Sequence, residues 1–205
     1  MMGYTDDELL RYFSDRIQVL ADDTRKNKKE LIEDIKRWYN GYSWDGENFV
    51  YNPFSILSFF TEKQFDNYWF SSGTPTFLTK LIRKKRTDAT AFDHLHVSGY
   101  IFDSYDIDNM EITSLLFQTG YLTIKKKFSK EDSKRYQLSY PNKEVRDSFL
   151  HYLFREYTRK DFVASTQIID QKVDAIAHDD PDSLFQSIKS LFASIPYNIF
   201  TGIWY

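Results

Sequence analysis

Between Arg37 and Phe60 the chain reads RWYNGYSWDGENFVYNPFSILSFF, and three dipeptides punctuate it: Asn40-Gly41, Asp45-Gly46 and Asn52-Pro53. The first two are turn formers, because Gly adopts positive φ without steric cost and Asn and Asp tolerate the same region. The third places a helix N-cap before a Pro at the first helical position. A helix therefore ends at Asn40, a compact loop or short hairpin follows, and a new helix starts at Asn52. Six rings crowd this passage: Trp38, Tyr39, Tyr42, Trp44, Phe49 and Tyr51. Rings that stack on a base or sugar keep one wet face, whereas rings that pin a helix to a turn are buried. We read them as a buried corner whose Tyr and Trp polar ends are satisfied by loop backbone, with a stacking site for a ligand as the alternative.

Helical spacing surrounds the corner. Thr5 and Glu8 have capping-box spacing, and Leu9, Leu10, Phe13, Ile17 and Leu20 follow on one face. Leu31, Ile32, Ile35 and Trp38 repeat the pattern up to Asn40, and Ile56, Leu57, Phe59 and Phe60 carry it after Pro53. Thr74-Pro75 opens another helix with Phe77, Leu78, Leu81 and Ile82 as its apolar stripe and the basic run RKKR at its end. Residues 87–98 are polar and weakly patterned, which marks them as a linker.

The second half reads differently. A helix over Ile112, Leu115, Leu116 and Phe117 ends at Gly120, and YLTIKKKF and RYQLSY then show rough alternation on either side of the charged SKEDSK. Pro141-Asn142 closes the second strand and starts a helix with Val145, Phe149, Tyr152, Leu153 and Phe154 on its buried side. Two helices follow, one through Phe162, Ile168, Ile169, Val173 and Ile176, the other entered at Asp180-Pro181 with Leu184, Ile188, Leu191 and Phe192. Helix, Gly turn, strand, charged tip, strand and helix is the order of a winged helix with a two-stranded wing. The expected architecture is mainly α with a small β component: a helical subdomain over 1–86, the linker 87–98, a winged-helix-like module over 99–158 and C-terminal helices over 159–205.

A wing can touch phosphates, and this one carries Lys125, Lys126, Lys127, Lys130, Lys134 and Arg135. The helix MEITSLLFQTG has no Arg or Lys to read base edges, and Glu131 and Asp132 partly offset the wing. Any DNA contact is expected to be weak and local, since 27 Lys and Arg against 30 Asp and Glu leave a formal net charge of -3 over 205 residues. No cysteine is present, so disulfides, thiolate zinc sites and thiol catalysis are excluded. No apolar run approaches the roughly 20 residues that span a bilayer, and the first residues lack a signal-peptide pattern. The expected place of the chain is the cytoplasm, with no membrane partner.

Constellations that carry chemistry are sparse. No Gly-rich loop with a following Lys and Ser or Thr occurs, so there is no P-loop in this sequence. His94 and His96 could share a strand face, but no third ligand lies nearby, and a solvated loop is the better reading. Asp103, Asp106 and Asp108 lack the Gly and terminal Glu of an EF-hand and suit helix capping. His151 falls among apolar helix positions, without a nucleophile to serve. No catalytic, cofactor-binding or metal-ligating residue is assigned.

The segments GYTDDELLRYF, WYNGYSWDGENFVYNPFSILSFF, FDNYWFSSGTPTFLTKLI, FDSYDIDNMEITSLLFQTGYLTI, YPNKEVRDSFL and LFASIPYN, in this order, resemble the middle portion of bacterial AAA-ATPase-like proteins with a C-terminal PD-(D/E)XK nuclease-like domain. The resemblance covers nearly the whole chain. It implies a P-loop core before the GYT segment and a nuclease-like fold after IPYN, so ATP and Mg are implied for the core and have no positions here. It also implies a non-catalytic lid or regulatory region, whether a natural truncation or a fragment, whose partners are the ATPase and nuclease-like portions or a second copy. A stand-alone winged-helix nucleic-acid binder is the alternative. The uncharged tail carrying Ile195, Tyr197, Ile199, Phe200, Ile203, Trp204 and Tyr205 is expected to seek a covering surface, self-association being favoured.

Overall fold

The computed structural model describes residues 3–71, 76–85, 89–102, 111–130, 133–158 and 162–194. In chain order these form α1 (Asp6–Thr24), α2 (Lys28–Tyr39), α3 (Pro53–Glu62), α4 (Tyr68–Ser71), α5 (Thr76–Lys85), a 3-10 turn (Ala89–His94), β1 (Leu95–Ser98), a second 3-10 turn (Gly99–Phe102), α6 (Ile112–Gln118), β2 (Thr123–Lys130), β3 (Ser133–Ser139), α7 (Lys143–Thr158), α8 (Phe162–Ala177) and α9 (Pro181–Ser194). The fold is mainly α with one small antiparallel sheet. Among the described residues no helix is long and apolar enough to cross a membrane.

The chain divides into two units, residues 1–74 with 88–149 and residues 75–87 with 150–205. In the first unit the capping box forms as the spacing predicts: Glu8 N–H donates to Thr5 Oγ1 at 3.2 Å and Thr5 N–H to Glu8 Oε2 at 2.9 Å. Asn52 Oδ1 accepts the Phe54 and Ser55 amides at the start of α3. One face of each of α1, α2 and α3 meets in a core of Leu9, Phe13, Ile17, Leu20, Leu31, Ile35, Tyr39, Tyr51, Ile56, Phe59 and Phe60. Phe13 stacks on Phe60 at 4.8 Å, and Phe59 meets Phe65 at 4.6 Å. Leu10 and Leu57, expected on the apolar stripes, are exposed instead. Each follows or precedes a buried neighbour by one position, and 100° of rotation carries it out of the seam.

Residues 87–98 are not a linker through their described part. Leu95–Ser98 is β1, paired antiparallel with β3, and the sheet order is β1-β3-β2. The expected two-stranded wing is thus part of a three-stranded sheet. Edge position explains why the strand was hidden: it has a partner on one side only and a short alternation of half-buried and exposed residues. The helical region and the hairpin also belong to one unit rather than two, because long-range hydrogen bonds join them, as described below.

The second unit contains α5, the later part of α7, α8 and α9. Leu78, Ile82 and Leu153 are buried, and an Arg83–Glu156 ion pair at 2.8 Å is largely shielded from solvent. Helix α5, expected in the N-terminal subdomain, belongs here, and Phe77 on its expected stripe is exposed. Val173 and Ile176 on α8 and Phe185 on α9 are likewise exposed. The Thr74-Pro75 cap, the three aspartates 103, 106 and 108, and residues 195–205 lie outside the described residues.

Candidate functional site

The aromatic corner resolves ring by ring. Tyr39, Tyr42 and Tyr51 are buried, with 0–1% of their surface exposed, whereas Trp44 is 48% exposed. Tyr39 Oη donates to the Asp66 carbonyl and accepts the Asp66 amide, both at 3.1 Å, so loop backbone satisfies it. Tyr51 Oη donates instead to the Asp6 carboxylate at 2.8 Å. The Tyr42 hydroxyl has the Asn52 and Asn142 amides beside it but no bond of normal geometry among the described residues. Desolvation, and then the nearby charge of Glu144, push this phenol well above the ordinary tyrosine value.

The loop between the rings is closed by paired Tyr42 and Val50 backbones and organised by one side chain. Asp45 accepts the Glu47 and Asn48 amides and the Asn48 and Ser43 side chains, bonds that hold its carboxyl well below the usual range. The loop then locks onto the hairpin. Ser43 N–H donates to Thr123 Oγ1 at 2.7 Å, Thr123 Oγ1 donates back to Ser43 O at 2.8 Å, and Ile124 N–H reaches the same carbonyl at 3.2 Å. Gly41 has φ +115, and a Cβ there would lie 2.0 Å from the Pro141 carbonyl oxygen. Only glycine permits both that backbone and that approach.

A second polar joint lies deeper. Glu144, in the first turn of α7, is fully buried, and its carboxylate accepts Ser55 Oγ at 2.9 and 3.1 Å and Trp69 N–H at 2.8 Å. Desolvation raises its pKa to about 7, and the bonds from Trp69, Ser55 and Tyr68 oppose the rise without cancelling it. A perturbed carboxylic acid is often a catalytic one, but a general acid must reach its substrate. This one is enclosed and occupied by donors from α3 and α4, so we assign it to holding those helices to α7.

The wing cations separate under this geometry. Strand register puts His96, Gln137 and Lys126 in one row, and Ser98, Arg135 and Phe128 in the next, on the same sheet face. The His96 and Phe128 rings lie 5.9 Å apart, and Gln137 Nε2 donates to His94 Nδ1 at 3.2 Å. Lys127 and Lys134 are exposed but fall on the opposite face by alternation. The Lys130 side chain and residues 131–132 lie outside the described set. Lys125 leaves the group altogether: β2 is irregular between Ile124 and Lys126, and the Lys125 ammonium turns inward to the Pro141 carbonyl at 2.7 Å. On α6, Ile112 and Leu116 are buried, and Ser114 Oγ donates to Ile101 O at 2.6 Å.

The remaining sequence candidates among the described residues form no metal cluster. Among the described residues no group of three or more His, Asp or Glu could hold a metal ion. His151 is half-buried, and desolvation with the neighbouring Arg155 charge lowers its pKa. Sequence reasoning missed Glu144 and the inward turn of Lys125.

Against known proteins, the chain is similar over its whole length, at 32% identity, to an uncharacterized protein in the vnfD 5' region of Azotobacter chroococcum mcd 1. It covers 36% of that relative, and so spans about a third of its length. No family model matches the chain, and no solved structure matches it.

Proposed function

We propose that this chain is the non-catalytic lid, regulatory and interaction region of an AAA-ATPase-like protein, with a winged-helix-like module as its second half. The observation that carries the reading is the joint between the aromatic corner and the hairpin. Ser43 and Thr123 exchange two hydrogen bonds, Gly41 lies against Pro141, and Glu144 ties α7 to α3 and α4. A push on the helices is thereby delivered to the sheet as a rigid displacement, which is the mechanical property a lid needs. The sheet order β1-β3-β2, with α6 between the first two strands, supports the winged-helix part. Similarity to one third of a longer protein supports a region that works with others. Nucleotide chemistry is assigned to no residue here.

The test is to read the coding sequence on both sides of this frame, express any P-loop segment found there, and measure its ATP turnover with and without this chain. A change in turnover that Thr123→Val weakens supports the reading. Absence of a flanking P-loop, or turnover indifferent to the chain, overturns it. One observation favours the second reading, a stand-alone nucleic-acid binder: Lys126, Arg135, His96 and Phe128 share a sheet face. Saturable, salt-sensitive DNA binding lost in Lys126→Gln/Arg135→Gln would move the assignment there.

A further inference from the structure

The inward turn of Lys125 opens onto a groove of about 670 Å³ in the first unit, lined among others by Asn40, Gly41, Phe49 and Pro141. Three features of Lys125 are independent of one another. Ile124 pairs with Leu138 and Lys126 with Gln137, so Lys125 is the extra residue of a bulge, a device that re-aims one side chain out of the strand's alternation. Its ammonium has three N–H groups, yet the Pro141 carbonyl is its one hydrogen-bond acceptor among the described residues, the remaining contact being the Phe49 ring at 5.8 Å. Among the described residues no carboxylate pairs with it, and desolvation alone lowers its pKa to about 8.

Supporting a carbonyl does not require a charge. Half-burying an ammonium without a counter-ion costs free energy that a neutral donor would avoid. The same ammonium at the wall of an open groove is a preformed acceptor of negative charge, with neutral amide and aromatic surface beside it. The other cations of the groove are engaged: Lys36 with Asp6 at 2.8 Å and Arg37 with Asp34 at 3.0 Å. Burial raises the pKa of Asp6, but bonds from Lys36, Tyr51 and Asn40 outweigh it and hold the carboxyl below its usual range, so its charge is answered locally. Asp7 and Glu47 also line the groove and repel a polyanion.

We propose that the groove is a binding site for a small oxyanion-bearing ligand, a carboxylate or a phosphate of low charge, seated with its charged end on the Lys125 ammonium and its apolar body along Phe49. This goes beyond the lid reading and does not depend on it. An arriving anion stabilises the charged lysine, so the pKa of Lys125 rises by about one unit or more on binding.

The test uses the whole chain labelled with 13C-lysine, its Lys125 Cε signal assigned with Lys125→Arg and titrated over pH in the presence of chloride, N-acetylalanine or inorganic phosphate. An upward shift of the Lys125 midpoint with N-acetylalanine assigns a carboxylate ligand, and with phosphate a phosphate ligand. Lys125→Met, checked for fold by circular dichroism, then loses the probe's binding. A midpoint unmoved by millimolar levels of both probes overturns the proposal, as does unchanged binding in a folded Lys125→Met variant.

Discussion

Replacing Glu144 by Gln should remove most of the pH dependence of stability that this one buried group imposes. The folded-state pKa of about 7 stands roughly 2.5 units above the ordinary value of 4.5, and at about 1.4 kcal/mol per unit the shift is worth at most about 3–4 kcal/mol. Its sign follows from which state holds the proton more tightly. Between pH 4.5 and 7 the folded protein binds a proton at Glu144 that the unfolded chain has released. The contribution is therefore complete below about pH 4.5 and is lost as pH rises through 7. Gln stays neutral while keeping the geometry: Oε1 can accept Trp69 N–H and Nε2 can donate to Ser55 Oγ. The variant should equal or exceed the parent in stability at about pH 8 and lose the advantage the parent gains on acidification. Urea unfolding near pH 5 and pH 8 measures both, and the difference between parent and variant cancels the histidines. The Trp69 backbone amide, which donates to the carboxylate, reports the ionisation directly in 1H–15N spectra. A parent without slope, together with a variant destabilised by more than about 2 kcal/mol at pH 8, would refute the reasoning, because the carboxylate would then be ionised and favourable.

Gly41→Ala should lose at least about 2 kcal/mol or fail to fold, since it strains φ +115 and drives a methyl into the Pro141 carbonyl; chemical denaturation reads it. Thr123→Val should cost about 2 kcal/mol by orphaning the buried Ser43 amide, and hydrogen exchange at Ser43 should accelerate with it. Lys126→Gln with Lys127→Gln should change stability by less than about 1 kcal/mol, as exposed sites do. Calorimetric titration of the chain with Mg-ATP should show no saturable micromolar binding, since the sequence has no P-loop.

Local signals carried the reading far where a partner lies within a few residues. Thr5 with Glu8 and Asn52 with Pro53 announce caps, and the hairpin between Thr123 and Ser139 follows from alternation. Helix boundaries set by Asn40 and Gly120 came from the same short-range chemistry. The rest depends on distance. Glu144 looks like any acid in a first helical turn, because its partners Ser55 and Trp69 lie 89 and 75 positions away. Lys125 sits in a run of three lysines that reads as a solvated face until one irregularity turns it inward. Leu95–Ser98 is too short to reveal its period against a polar background. The corner was identified as a mainly buried feature, but not that Trp44 stands outside it or that Asp6 serves Tyr51.

The bonds from Ser43 to Thr123 and from Ser55 to Glu144 also say something about the order in which the protein comes into being. The aromatic loop leaves the ribosome 80 to 89 residues ahead of the groups that complete it. At about 5–20 residues per second, translation leaves that loop without those partners for a time on the order of ten seconds. During this interval α1, α2 and α3 can collapse around their own rings, while Ser43 and Ser55 remain bonded to water. Residues 75–87, assigned to the second unit, emerge in between, so the first unit is interrupted before it is finished. Its assembly is a closing step that waits for α7, and a nascent chain stalled before Glu144 should be far more open to proteases than one stalled past Phe149.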